Sequence, residues 1–284
     1  MEAATRAPSI HNTQPWLFRA DGDRLQVRTD PFRALATLDP SGRQRVLSCG
    51  VAAESAVVAL TAAGCATDVE VLPEAGDPDL LATVIVTGGY EPDEEDRVLG
   101  QAITARHTER APFLPRAVPD ELVDRLQATA GAFRVWLRPI SGVNEEVATV
   151  SLLSRAEEIE QGQPEYLAEL ERWVRTDPAA VDGVPVAAVP GEDPATRPSN
   201  WLVRDFVVGS RPAAGPGAAG GHGRRAGGLP AHPGAGLAGD AGAAALPPRA
   251  RRAPAGAAAA GPPGRRRAPS TNRRPVAEVL AFAG

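Results

Sequence analysis

The chain has no lysine at all; every one of its 30 basic residues is arginine. That excludes the phosphate-binding pattern G-x-x-x-x-G-K-[ST] outright. It also points to a GC-rich genome, because arginine has GC-rich codons and lysine AT-rich ones. Cysteine is nearly absent. Cys49 and Cys65 alone cannot build a disulfide framework or a cysteine zinc site, so a reducing cytoplasm is the plain expectation. Aromatic residues are 4% of the chain against 43% for all hydrophobic types, so a core must be built mainly from Ala, Val and Leu. The patterns G-x-S-x-G, H-E-x-x-H and C-x-x-C do not occur, which removes those hydrolase, metalloprotease and dithiol readings. No apolar stretch of signal-peptide type follows Met1. The best membrane candidate, residues 46–66, carries Glu54 and is mostly small residues; it reads as a buried helix and not as a span.

What is present divides into two texts. Residues 1–210 hold 19 Arg against 33 Asp plus Glu, a net of −14. Residues 211–284 hold 11 Arg and two acids, Asp240 and Glu278, a net of +9. Of the 59 residues from 211 to 269, 53 are Ala, Gly, Pro or Arg, with no Val, Ile, Phe, Tyr, Trp, Ser or Thr. Such a composition buries too little apolar surface to offset chain entropy, so disorder is expected. Three readings stand: a basic linker, a nucleic-acid-binding tail using Arg224-Arg225, Arg251-Arg252 and Arg265-Arg266-Arg267, or a GC-rich gene translated out of frame. Ala, Gly, Pro and Arg are the residues whose codon families begin with two G/C bases, as a shifted frame would supply. Gly215-Pro-Gly217-Ala-Ala-Gly220 matches G-x-G-x-x-G, but no strand precedes it and no helical pattern follows, so it is rejected as a nucleotide site.

The readable part alternates strand and helix signals. Trp16–Arg19 and Arg24–Thr29 predict two strands around Asp21-Gly22-Asp23. Ser41 is placed to cap a helix over 42–63, with Gly64 as its stop; small residues along it (Ala52, Ala53, Ser55, Ala56, Ala59) would let a partner helix approach. Strands are predicted over 67–72, 81–87 and 133–139. Helices are predicted over 93–105, from Pro119, over 144–161 and over 164–175, the last with Leu167, Leu170, Trp173 and Val174 on one apolar face. The pattern is mixed α and β with many helices.

The most informative stretch is Arg6-Ala-Pro8-Ser9-Ile10-His11-Asn12-Thr13-Gln14-Pro15-Trp16-Leu-Phe18. Two prolines, a hydroxyl, two amides and an aromatic directly before a strand describe a stiff turn presenting polar groups. A capped turn with Trp16 and Phe18 in the core would explain it equally well. This loop, with the helix Val46-Leu-Ser-Cys-Gly-Val-Ala-Ala downstream, resembles the flavin-contacting loop of the nitroreductase superfamily, and is most similar to its Acg-like actinobacterial branch, in which two nitroreductase-like halves share one chain. The resemblance covers about 1–210 and 271–280.

The resemblance carries several expectations. The fold is α+β, nitroreductase-like, with two fused units forming an intramolecular pseudo-dimer, hence a possible monomer. Residues 1–90 are the first unit, 91–210 the second, 211–269 the low-complexity segment and 270–284 a residual tail. An upstream helix is missing, since Met1 begins almost at the motif, and elements are lacking between Ser210 and Ser270. The cofactor is FMN, with NAD(P)H as electron donor and a small-molecule nitro-aromatic or quinone as acceptor; no membrane is involved. From the loop, Pro8, Ser9, Ile10, Asn12 and Gln14 would contact the flavin. The segment Arg106-His-Thr108-Glu-Arg110 is similar to the family's Arg-x-Ser/Thr-x-Arg grip on the flavin phosphate, and the chemistry suits it, because guanidinium forks bind phosphate bidentately. Arg273 in Asn272-Arg273-Arg274-Pro275 would complete that grip; an ordinary basic tail is the other reading. No side chain is assigned as catalytic, since the flavin carries the redox chemistry; a chain without turnover is the other expectation. The run 182–200 would suit a surface loop or a lid. A flavin-sequestering protein without turnover and a nucleic-acid binder acting through the Arg-rich tail are the alternative functions.

Overall fold

The computed structural model describes residues 1–108, 117–140, 142–186 and 271–283. The low-complexity segment 211–269, Arg110 and most of the run 182–200 lie outside them. A five-stranded sheet organises the first ninety residues. Strand β1 (Trp16–Asp21) turns at Gly22, whose φ is +55°, into β2 (Arg24–Thr29), and Asp21 faces Arg24 across the hairpin. The two turn residues, Gly22-Asp23, are a natural hairpin signal because glycine reaches positive φ without strain. Strands β3 (Cys65–Val71) and β4 (Leu80–Gly89) form a second antiparallel pair, and β4 also pairs with β2. The order is completed on the far side of β1 by β7 (Leu280–Phe282), which runs parallel to it. The chain's last strand is therefore woven into its first sheet.

One helix covers this sheet. Helix α2 (Arg43–Ala62) buries Ser48, Cys49, Ala52, Ala53, Ala56, Val57 and Thr61. Its small side chains meet Trp16, Phe18, Val27, Leu81, Ala82 and Val279 in one core cluster. The small residues thus serve chiefly a close helix–sheet contact. A helix partner comes close elsewhere: a Cβ on Gly100 of α3 (Glu94–Ala105) would lie 2.6 Å from the Ala62 Cβ. Helix α2 is, among the described residues, the one helix long and apolar enough to cross a membrane; here its inner face is core, while Val46, Leu47 and Val51 are exposed.

Its start differs from expectation. Ser41 does not cap α2. The Asp39 carboxylate does so, accepting from the N–H groups of Gln44 (3.1 Å) and Arg45 (2.9 Å). A carboxylate is a stronger acceptor for helix-start donors and suits the positive end of the macrodipole. The stop at Gly64 is as expected, with φ +89°. Helix α3 opens on a reciprocal capping box between Asp93 and Asp96.

Beyond residue 90 come α3, α4 (Asp120–Ala132), α5 (Val143–Gln161) and α6 (Pro164–Glu171). The strand expected over 133–139 is absent: α4 closes at Phe133, Arg134 takes a positive φ of 57°, and Val135, Trp136 and Leu137 are exposed. An extended segment needs a neighbouring strand for its backbone groups, and none lies beside it among the described residues. Helix α6 also ends earlier than expected. Val174–Arg175 forms a short strand, β5, parallel to β6 (Val184–Pro185). The α+β class is as read. The large sheet takes four strands from the first ninety residues and one from the tail, while 91–186 contributes helices and the two short strands.

Candidate functional site

The Pro8–Gln14 loop holds an uncommon backbone. Helix α1 (Glu2–Thr5) leads into it, and Ser9 is extended. Then His11, Asn12 and Gln14 all take positive φ, at 46°, 54° and 51°. Non-glycine residues in this region cost about 1 kcal/mol or more each and persist only where the surroundings impose them. Here the surroundings can be named. The Ser9 Oγ accepts the Gln14 N–H at 2.9 Å. Gln14, fully buried, donates from Nε2 to the Val181 carbonyl (2.7 Å) and accepts at Oε1 from the Arg274 N–H (2.8 Å). The Asn12 Nδ2 donates to the carbonyls of Gly183 (3.1 Å) and Asn272 (3.3 Å), and the Asn12 carbonyl accepts from the Gly183 N–H (3.3 Å). The two amides thus knit the loop to residues 181–183 and to the tail. Pro8, Ser9 and Ile10 are half-buried and form its outer rim.

A second device fixes the 181–183 segment. Asp182 accepts from the Arg175 Nε (3.0 Å) and Nη2 (2.8 Å) and from the Arg33 Nη1 (2.9 Å). Both guanidiniums lie over the Trp173 ring, at 5.6 and 5.8 Å from its centroid. Arg33 also donates to the Thr13 carbonyl at 2.7 Å, which returns the brace to the loop. Burial pushes the Asp182 carboxyl up, but the hydrogen bonds from Arg175 and Arg33 outweigh it and hold the group below the usual carboxylate range. Beneath α6, the buried Glu169 carboxylate accepts from three consecutive backbone N–H groups, those of Ala36, Thr37 and Leu38, at 2.9, 3.0 and 2.7 Å.

Beside the loop lies a cleft of about 440 Å³, lined by Glu2, Thr5, Arg6, Thr271, Arg273 and Val276 among others. The two tail arginines divide their work. Arg274 is buried and neutralised, reaching Asp30 (3.4 Å) and Glu278 (3.6 Å). Arg273 faces the cleft. Its Nη1 is tied back to Thr271 and Asn272, and its buried Nε has no acceptor among the described residues. Burial, together with the like charges of Arg106 and Arg6, lowers the Arg273 guanidinium to about 10. Arg106 donates from Nη2 to the Arg6 carbonyl at 3.2 Å, and partial burial holds it below its ordinary range too. Three guanidiniums from distant parts of the chain thus crowd one place, and neither Arg106 nor Arg273 has a carboxylate partner among the described residues.

The structure therefore brings the loop, Arg106 and Arg273 into one neighbourhood. Of the expected site residues Arg273 lines the cleft itself, while Pro8, Ser9, Ile10, Asn12, Gln14, Arg106 and the exposed Thr108 do not; Arg110 lies outside the described residues. Sequence reading did not single out Arg6, whose Glu2 spacing looks like an ordinary surface pair. It also missed the 181–183 carbonyls, which lie some 170 residues from the amides they receive. Among the described residues no group of His, Cys, Asp and Glu could hold a metal ion.

No family model matches the chain. Curated proteins do. It is 36% identical over 192 residues to a Mycobacterium tuberculosis protein named "Putative NAD(P)H nitroreductase", which covers 68% of this chain and 54% of the relative. It is 31% identical over 209 residues to a second protein of that organism, "Putative NAD(P)H nitroreductase acg", covering 73% and 62% respectively. A third mycobacterial relative, described as uncharacterized, is 31% identical over 212 residues, covering 73% and 60%. The chain thus spans little more than half the length of the relatives it matches. By its loop motif and these matches together, the chain belongs to the nitroreductase superfamily, in its Acg-like branch.

Proposed function

We propose that this chain binds FMN in the cleft beside the Pro8–Gln14 loop and serves an NAD(P)H-dependent oxidoreductase of nitroreductase type, acting on a small nitro-aromatic or quinone in the cytoplasm. The observation that carries this reading is the meeting of a strained loop with Arg106 and Arg273, neither of which has a carboxylate partner among the described residues. The cleft volume of about 440 Å³ falls in the range of small-molecule sites. The donor set suits a phosphate: Arg6 and Arg273 line the cleft, and charge-assisted guanidinium–phosphate bonds are among the stronger ones available. The names of the relatives support the nicotinamide donor.

In this reading Arg273 and Arg106 hold the phosphate, and the loop backbone between Pro8 and Gln14 supports the ring system. Thr108 and Arg110 join them by resemblance alone. Asn12 and Gln14 act through the backbone: their amides keep the loop in its left-handed conformation, ready before the cofactor arrives. A flavin held there would supply the redox chemistry, taking electrons from reduced nicotinamide to the acceptor. The pairing of two units within one chain is part of the same proposal.

The test is direct. Purified protein should be yellow or become so on reconstitution, release FMN on denaturation, and oxidise NAD(P)H with a quinone or nitro-aromatic present. Colourless protein that cannot be reconstituted overturns the reading. Flavin-loaded protein that leaves NAD(P)H untouched would instead be a flavin-sequestering protein.

A further inference from the structure

We propose that Arg6 is a third phosphate-binding cation of this cleft and that Glu2 is its internal counter-anion, displaced when the phosphate enters. The inference rests on the FMN reading above and deepens it. Arg6 and Arg273 line the same cleft from different parts of the chain, Arg6 at the mouth of the amide loop and Arg273 in the tail. The main-chain carbonyl of Arg6 also receives the Arg106 guanidinium at 3.2 Å. One residue therefore positions the second arginine through its backbone while offering its own side chain.

The charges show what is missing. Of the arginines lining the cleft, Arg274 is neutralised by Asp30 and Glu278. Among the described residues Arg6 and Arg273 face only one lining carboxylate, Glu2, whose Oε1 lies 3.2 Å from the Arg6 Nη2. That pair is loose. The side chains are 40% and 75% exposed, and exposed pairs at this spacing hold little energy. Arg273 meanwhile feels the like charges of Arg106 and Arg6 as well as burial. A dianionic phosphate relieves that repulsion by accepting from several guanidiniums at once, which a monoanionic carboxylate at the rim does not do. Glu2 then swings to solvent, since its place on the four-residue helix α1 does not depend on the pair.

The experiment titrates the full chain with FMN, riboflavin and inorganic pyrophosphate, comparing the unaltered protein with Arg6→Gln and Glu2→Gln. The Arg106–Arg6 contact uses a backbone carbonyl, so it survives in both variants. Arg6→Gln should weaken FMN and pyrophosphate about tenfold or more, the scale of a hydrogen bond to a charged group, and leave riboflavin unchanged. Glu2→Gln should tighten FMN and pyrophosphate about two- to fivefold, the scale of an exposed ion pair. Because Glu2 is at the surface, this second variant decides the matter even if Arg6→Gln fails to fold. FMN binding indifferent to both substitutions overturns the role of Arg6 and leaves the FMN reading intact. Pyrophosphate binding that depends on Arg6, in a chain that takes no FMN, supports the anion site and overturns the flavin. Binding of neither ligand overturns both.

Discussion

Replacing Gln14 by Ala removes a side chain that is fully buried and bonded at both ends. The Val181 carbonyl loses its 2.7 Å donor, and the Arg274 N–H loses its 2.8 Å acceptor. Each buried backbone group left unsatisfied costs about 1–3 kcal/mol, so the pair alone amounts to about 2–6 kcal/mol. The void left by the amide adds to this. Domains of ordinary stability have about 5–15 kcal/mol in all, so the loss is a large share. With a urea dependence of about 2 kcal/mol per molar, the unfolding midpoint should fall by about 1–3 M. Gln14→Glu sharpens the case. It keeps an acceptor for the Arg274 N–H but sets an oxygen against the Val181 carbonyl, so it should lose most of the same stability at neutral pH and regain part of it on acidification. A midpoint within about 0.2 M of the unaltered protein in both variants would refute the claim that this amide ties the loop to the tail.

Three further outcomes are expected. Glu169→Gln turns one acceptor oxygen of a three-N–H receptor into a donor and should lower stability by about 1–3 kcal/mol, read as a drop in thermal midpoint. Because Asp182 is held below its ordinary value by Arg175 and Arg33, its contribution is fully present above the unfolded carboxylate pKa of about 3.9 and is lost as pH falls through the lower folded value; an acid-unfolding titration should show this loss, and Asp182→Asn should flatten it. Burial pushes the Cys49 thiol up to about 12, and its Sγ lies 3.2 Å from the Pro15 carbonyl, so a thiol reagent at pH 8 should modify at most Cys65 in native protein and both cysteines only after denaturation.

The strands and helices of the first ninety residues were legible because their patterns are local. Leu25 and Val27 alternate with Gln26 and Arg28, and the apolar positions of α2 recur at helical spacing. The errors share a cause. Asp39 outcompetes Ser41 as a cap because the chain turns between them and carries the carboxylate back to the helix start, which no fixed spacing announces. The segment 133–139 has strand composition, but composition does not supply a neighbouring strand. The tail strand β7 is three residues long and owes its existence to pairing with β1, so nothing in Leu-Ala-Phe betrays it. The same division holds at the site. The loop and the tail arginine could be found from their motifs. Their connections through Val181, Gly183 and Asn272 span 167, 171 and 260 residues and appear only once the chain is folded.

The ratio of FMN to riboflavin affinity, measured by flavin fluorescence titration in the unaltered protein and in Arg273→Met, tests the phosphate site most directly. The two ligands differ only by the phosphate. FMN should bind at least about a hundredfold more tightly, the scale of two charge-assisted contacts, and Arg273→Met should remove most of that margin while leaving riboflavin affinity as it was. Equal affinities for the two flavins, or a margin that survives the loss of Arg273, would contradict it.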